Sequence, residues 1–266
     1  MTVPAPTTGR TPDLTPEGTV TAARPGDTAP GLTAPGRTAP GGGRLRTGAP
    51  GELLLAHDAP GGGRLTLRVL DPDADLDVLH DWVTRPWARF WGLAELSRTE
   101  LRDLYAYVGS LPTHHAFLVR WDDTPVALLQ TYEPEHDPVG EAYQVRPGDV
   151  GAHFLLGARG PRGTDLWGAV GPLLVAFCFA DARVDRVVVE PDAANARAHA
   201  RMRALGFEVA DRVRVGEKDA VLAFLTRARA GDLLAGGAAA APARHRPAGP
   251  RAGGAGGGAV GFKKKN

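Results

Sequence analysis

The chain has 266 residues, with 31 Lys and Arg against 30 Asp and Glu, a formal net charge of +1 and a single cysteine. So even a balance gives no global field to recruit nucleic acid or an anionic membrane, and one thiol excludes both a disulfide framework and a multi-thiolate zinc site, which fits a reducing cytoplasm. No secretory pattern opens the sequence, and its longest apolar run, WGAVGPLLVAFCFA at 167–180, has 14 residues where spanning a bilayer takes roughly 20.

In chain order, residues 1–63 come first, rich in Pro, Gly, Thr and Ala, with TAPGL, TAPGR and TAPGG at 28–42 and APGGGRL at both 39–45 and 59–65. Too few large apolar side chains repay the entropy of ordering there, so the segment reads as a disordered leader. From Arg64, RLTLRVL sets Leu65, Leu67 and Val69 against Arg64, Thr66 and Arg68, the period of a half-buried strand. Asp75 is placed to cap a helix carrying Leu76, Leu79 and Val83, which Pro86 closes. Ser97 and Glu100 form a capping box before a second helix with Leu101, Leu104, Tyr105 and Val108 on one face, ended by Pro112.

HAFLVRW and PVALLQTY follow as an antiparallel hairpin across Asp122 and Asp123. After the polar connection 133–148 comes the strand VGAHFLLG, then the Gly-rich turn GARGPRGTD and a long apolar helix containing Pro172. VDRVVVEPD is too apolar for an edge strand and is expected to lie centrally, parallel to its predecessor. A helix over NARAHARMRAL ended by Gly206, and the strands FEVADRVRV and AVLAFLTRA, complete the pattern. The order β, α, α, β, β, β, α, β, α, β, β predicts one α/β (α+β) domain over 64–229, a mixed central sheet flanked by helices. Residues 230–266 read as a disordered Gly/Ala-rich basic tail ending in Lys263, Lys264 and Lys265.

His153 is an imidazole set within an apolar strand and has three readings: a hydrogen-bonded core residue, a metal ligand or a catalytic base. Metal binding is the weakest of these, because no H-x-E or H-x-x-x-H spacing supplies a second ligand. His114, His115 and His136 fall in connections and are expected to be solvated, while Cys178, between Phe177 and Phe179, sits where burial raises a thiol pKa and blocks access. Asp192 serves a site or merely begins a turn after Pro191, and Asn195 touches a ligand or merely caps the next helix. Trp87, Phe90, Trp91, Gln130 and Tyr132 are candidates for an acceptor pocket, with core packing as the plain alternative.

The element order, with a Gly/Arg-rich turn between a central strand and a helix, resembles the GNAT superfamily of acyl-CoA-dependent N-acyltransferases over residues 64–229. The resemblance implies two splayed parallel central strands, an acyl-CoA co-substrate against the first of them, and its pyrophosphate on the turn. There, backbone N–H groups, the helix dipole, Arg159 and Arg162 favour an anion. The cofactor-binding set it implies is Phe154, Leu155, Leu156, Arg159, Gly160, Arg162, Gly163, Thr164 and Asn195, with backbone N–H groups near Phe154 and Leu155 polarising the thioester carbonyl. The turn departs from the usual Q/R-x-x-G-x-G/A signature, running Gly160, Pro161, Arg162, Gly163, Thr164, Asp165.

Five blocks taken together, LHDWVTRPWARFW (79–91), DVGAHFLLG (149–157), RGTD (162–165), ADARVDRVVVEPDAANARA (180–198) and LGF (205–207), resemble the branch that acylates N-hydroxylated amines in hydroxamate siderophore biosynthesis. That resemblance implies His153 and Asp192 as the catalytic pair. It implies acetyl-CoA, succinyl-CoA or a longer acyl-CoA as donor, no metal, and N6-hydroxylysine, N5-hydroxyornithine or N-hydroxycadaverine as acceptor. It also implies a cytoplasmic place in iron acquisition beside an amine N-hydroxylase and a siderophore synthetase. An imidazole, with an ordinary pKa of about 6.5, suits proton removal near neutral pH. The tryptophan-rich first-helix region also resembles aminoglycoside-type N-acetyltransferases, and a non-catalytic acyl-CoA-binding module is the alternative from another class.

Overall fold

The period-two segments all become strands of one sheet. The computed structural model describes residues 43–239, so the leader over 1–42 and the tail beyond 239 lie outside the described residues. The strands are β1 (Leu53–Asp58), β2 (Arg64–Val69), β3 (His114–Trp121), β4 (Thr124–Tyr132), β5 (Asp149–Leu156), β6 (Arg186–Val189), β7 (Glu208–Val215) and β8 (Lys218–Thr226). They run in the order β1-β2-β3-β4-β5-β6-β8-β7, with every pair antiparallel except β5 and β6.

Two features extend the sequence reading. β1 pairs with β2 inside the stretch read as leader, and Leu45, Leu54 and Leu55 are buried in the main core, so the boundary expected at residue 64 falls within the sheet. At the other end, helix α5 (Arg227–Ala239) carries the fold past residue 229. His114 and His115, expected in a solvated connection, are buried within β3. The connection 133–148 holds two 3-10 turns, Pro134–His136 and Pro138–Glu141, with Asp137 and Val139 buried.

Helices cover both faces of the sheet. α1 (Leu76–Val83) and α2 (Arg98–Ser110) pack Leu79, Trp82, Leu101 and Tyr105 against Leu118, Leu128 and Leu155. The Ser97/Glu100 capping box forms as expected, whereas the Asp75 carboxylate accepts from the Asp71 N–H and makes no bond to α1. On the opposite face lie α3 (Leu166–Cys178), α4 (Ala196–Ala204) and α5, which contribute Val170, Leu174, Phe177, Met202 and Ala230 to the larger core. Among the described residues no helix is long and apolar enough to cross a membrane.

The pairing of β5 with β6 positions the site. Their register covers only Asp149↔Arg186, Val150↔Val187 and Gly151↔Val188, after which β5 runs on to Leu156 paired with β4 alone. The two strands therefore part beyond Gly151 and leave one edge of β5 unpaired. Their closed end is pinned by the Arg186 guanidinium, which donates two hydrogen bonds to the buried Asp149 carboxylate at 2.8 and 2.7 Å. Just past the open end, a Cβ at Gly157 would lie 1.8 Å from the Trp82 ring, so α1 approaches β5 as closely as a missing side chain allows. Gly157→Ala is expected to cost roughly 1–3 kcal/mol by overpacking, read as a lower urea midpoint at unchanged slope; an unaltered midpoint would show that Trp82 moves aside freely.

Candidate active site

Strand register gathers the polar side chains. Ala116, Gln130 and His153 lie across one row of β3, β4 and β5, and His114, Tyr132, Gly151 and Val188 across the next. Alternation from Val188 carries Glu190, at the end of β6, to the same side, which is also the side of α1 and α2. A Cβ at Gly151 would sit 2.0 Å from the Tyr132 ring, and the bare backbone there lets that ring lie across β5 and reach Glu190. Lys218, at the start of β8, completes the group.

Glu190 is the hub. Its carboxylate is 1% exposed and takes three contacts: His153 Nε2 at 2.5 Å, the Tyr132 hydroxyl, which donates at 2.8 Å, and Lys218 Nζ, which donates at 3.0 Å. Burial alone would raise its pKa. The charges of His153 and Lys218, and the hydrogen bonds from His153 and Tyr132, outweigh burial and hold the carboxyl well below the usual carboxylate range. Against this anion, burial first and Glu190 second push the Tyr132 phenol far up, so it stays a donor. With His153 Nε2–H directed at Glu190, the ring's lone pair is on Nδ1, which is buried and has no hydrogen-bond partner among the described residues. Trp91 stands edge-on to the imidazole at 6.3 Å, its indole N–H held by the Tyr105 hydroxyl at 3.3 Å.

A cleft with about 530 Å³ of empty space, partly open to solvent, occupies the gap between the parted strands. Of the residues expected at the site, His153, Phe154, Asp192, Asn195, Phe90 and Trp91 line it. Tyr132 joins through the Glu190 network, and Gln130 is buried in the row of His153, behind the lining, with both amide atoms lacking a partner among the described residues. The others stand apart from this group. Trp87 is 46% exposed beneath Arg85, Leu155 packs under α1 and α2, and Leu156 packs against the opposite core.

The resemblance implies Asp192 as the second member of the catalytic pair, to hold the N-hydroxyl or to orient the imidazole, and the carboxylate that meets the imidazole is Glu190. Asp192 lies beyond Pro191 and spends one oxygen on the Ala194 N–H at 2.7 Å, while Asn195 caps α4 through the Ala198 N–H. Glu190 and Lys218 escaped the sequence reading. A usable signal was there for the first, because alternation along VVVE sets Glu190 on the face of Val188, and an acid ending a buried β-branched run demands partners. Lys218 carries no such signal, since only the crossing of β8 beside β6 brings it near.

The turn between β5 and α3 fits an anion at its open side. Arg159 and Arg162 are exposed and have no ion-pair partner among the described residues. Gly163 has φ +83°, and Gly160 packs so close to Thr164 that a Cβ would stand 2.9 Å from its hydroxyl. Asp165, the N-cap of α3, takes the Gly168 N–H at 3.0 Å, so that one donor at the helix start is already engaged. Among the described residues no group of three His, Cys, Asp or Glu side chains is arranged to hold a metal ion. Burial pushes the Cys178 thiol up to about 12, which makes it a poor nucleophile.

The buried polar groups behind the site set the acid response of the fold. Burial lowers His115 to about 4, and burial together with the charges of His153, His115 and His136 lowers His114 to about 2. Below pH 6.5 the unfolded chain takes up protons that these folded residues refuse, so stability falls on acidification. Asp137 runs the other way: burial, then Glu190, raise it to about 6, and the folded state gains as pH drops from 6 towards 3.8. Glu190, depressed from 4.5, adds to the loss once pH falls below that value. Two histidines outweigh one aspartate, and a net loss of roughly 4 kcal/mol is expected between pH 7 and pH 4. Urea midpoints that stayed level across that range would contradict it.

The family model described as "Acetyltransferase (GNAT) domain" matches residues 71–215. No curated protein sequence matches the chain. Among solved structures, an uncharacterised protein from Bacillus halodurans superposes with a TM-score of 0.61 at 20% identity, over 71% of this chain and 99% of its own. The structure of AAC(6')-Ib in complex with ribostamycin and coenzyme A gives 0.55 at 24% identity, over 62% of this chain and 94% of its own. The aminoglycoside acetyltransferase AAC(6')-Ib with coenzyme A and kanamycin gives 0.55 at 23%, over 63% and 98%. At these identities the likeness is one of fold.

Proposed function

Since the chain belongs to the GNAT acetyltransferase family, and is thus an acyl-CoA-dependent N-acyltransferase, we propose that it acylates an N-hydroxylated amine by direct transfer, with His153 as the base. The observation that carries the reading is the His153–Glu190 pair on the cleft wall: Nε2 lies 2.5 Å from the buried carboxylate, and Nδ1 has no hydrogen-bond partner among the described residues. That leaves a ring nitrogen to accept the proton of an attacking nitrogen, and Gln130, 1% exposed, lies behind the cleft lining directly across the strand pair from His153. The ionisable side chains lining the cleft are His153, Lys218, Glu190 and Asp192, a balanced set rather than the acidic wall that a polycationic aminoglycoside would favour.

In this reading the thioester lies along the unpaired edge of β5, whose backbone N–H groups polarise its carbonyl, and the phosphates meet Arg159 and Arg162 at the turn, with Gly160, Gly163 and Thr164 giving the backbone its close approach. A hydroxylamine nitrogen is less basic than an alkylamine and carries a free lone pair near neutral pH. It attacks the thioester carbon, its proton passes to His153 Nδ1, and the C–S bond breaks to release the CoA thiolate, which takes up a proton. Glu190 stabilises the imidazolium formed on the way, as the buried carboxylate does in triad chemistry. Asp192, on the cleft wall, holds the N-hydroxyl or an amine of the acceptor, while Phe90 and Trp91 cover its carbon chain. An amine N-hydroxylase would supply the acceptor and a siderophore synthetase would consume the hydroxamate.

The test is release of free CoA thiol from acetyl-CoA with N-hydroxylysine, N-hydroxycadaverine, lysine or kanamycin as acceptor. Turnover confined to the hydroxylated amines is expected. Turnover of kanamycin but not of the hydroxylated amines would replace this reading with an aminoglycoside-type acetyltransferase.

A further inference from the structure

A second recess lies behind the site, on the face of the sheet away from His153. It has about 350 Å³ of empty space, partly open to solvent, and is bounded by Leu174, Val175 and Cys178 of α3, Val187 and Val189 of β6, and Leu225 of β8. Ala152, Phe154 and Val189 line both this recess and the cleft, so the two meet in the gap where β5 leaves β6. Strand alternation explains the change of character, because His153 points to the polar side while Ala152 and Phe154 point to this one. Every side chain in the lining is apolar apart from the Cys178 thiol and the Trp167 indole, and the indole N–H is already given to the Arg201 carbonyl at 3.2 Å. Trp167 stacks on Phe154 at 4.9 Å and closes the recess on the side of α4.

We propose that this recess receives the alkyl chain of the acyl group, so that the donor is an acyl-CoA with a short, uncharged chain longer than acetyl. The proposal rests on acyl-CoA being the donor, and it is independent of which amine accepts. A thioester in the gap has its carbonyl carbon within reach of a nitrogen on the His153 side, and the gap gives its substituent an apolar exit to the other side. A succinyl carboxylate would enter the same space with neither a cation nor a free N–H donor to meet it, and burial of an unpaired charge is strongly opposed.

Calorimetric titration of the wild-type protein with CoA, acetyl-CoA, butyryl-CoA and succinyl-CoA tests this without any acceptor. Two further buried methylenes predict butyryl-CoA binding about tenfold tighter than acetyl-CoA, with succinyl-CoA weaker than either. Cys178→Leu, which fills the recess, is expected to erase the butyryl advantage and leave acetyl-CoA affinity as it was. Leu174→Ala, which enlarges it, should move the preference to hexanoyl-CoA, and it decides the matter if the first variant does not fold. Butyryl-CoA no tighter than acetyl-CoA, succinyl-CoA as the tightest ligand, or a butyryl advantage untouched by the folded variants would each overturn the proposal. Failure of hydroxylated amines to turn over would leave these affinities unchanged and would count against the acceptor alone.

Discussion

Replacing His153 with alanine is expected to lower acyl-transfer turnover by about 10²–10⁴-fold, the range over which a positioned general base contributes. The imidazole has an unengaged lone pair on Nδ1, with no partner among the described residues, while its other nitrogen is held by Glu190 at 2.5 Å. Loss of the ring leaves Glu190 with the Tyr132 hydroxyl and Lys218 Nζ as donors, so the buried carboxylate stays partnered and the fold should survive with a modest loss of stability. In the proposed reading the donor is held by the backbone edge of β5 and by the turn, neither of which the side-chain substitution removes. Its dissociation constant should therefore be unchanged, and the loss should appear in kcat for a saturating acceptor. A variant turning over at the wild-type rate would remove His153 from the chemistry, and a large loss of CoA affinity would recast it as a binding residue.

Most of the architecture was legible because period-two and period-3.6 patterns report which face is buried. That held for β2 to β8 and α1 to α4, including the parallel placement of β6 beside β5. β1 was hidden for a physical reason. Its three consecutive leucines have no alternation, and the register shift between Leu53 and Leu55 turns Leu54 and Leu55 inward together while Leu53 stays exposed. His114 and His115 looked like loop residues because they follow Pro112 and Thr113. Stacking of His114 on Tyr132 at 5.4 Å and its contact with the buried Asp137 are tertiary facts that no local pattern carries. His153 was readable as an imidazole in an apolar strand. The carboxylate that meets it, Glu190, stands two residues before Asp192, on the side that strand alternation shares with the imidazole.

That displacement makes Glu190 the position with the sharpest second expectation. Glu190→Ala would leave the Lys218 ammonium, its side chain 13% exposed, without its carboxylate, and breaking a buried pair in this way costs roughly 3–5 kcal/mol. The more informative change is Glu190→Gln, which keeps the shape and removes the charge. A neutral amide no longer fixes the hydrogen on Nε2. It can donate to Nε2 instead, moving the ring proton to Nδ1 and so blocking the nitrogen that must accept the substrate's proton. Turnover should fall about 10²–10⁴-fold, the upper end being what a triad loses when its orienting carboxylate becomes an amide, with CoA affinity unchanged. If Glu190 acts only through His153, the His153→Ala, Glu190→Gln double variant should be no slower than His153→Ala alone, a coupling that independent contributions cannot produce. If the two losses multiplied, Glu190 would be meeting the acceptor directly, and the imidazole would owe its orientation to the 3.3 Å contact with Tyr132 rather than to the carboxylate.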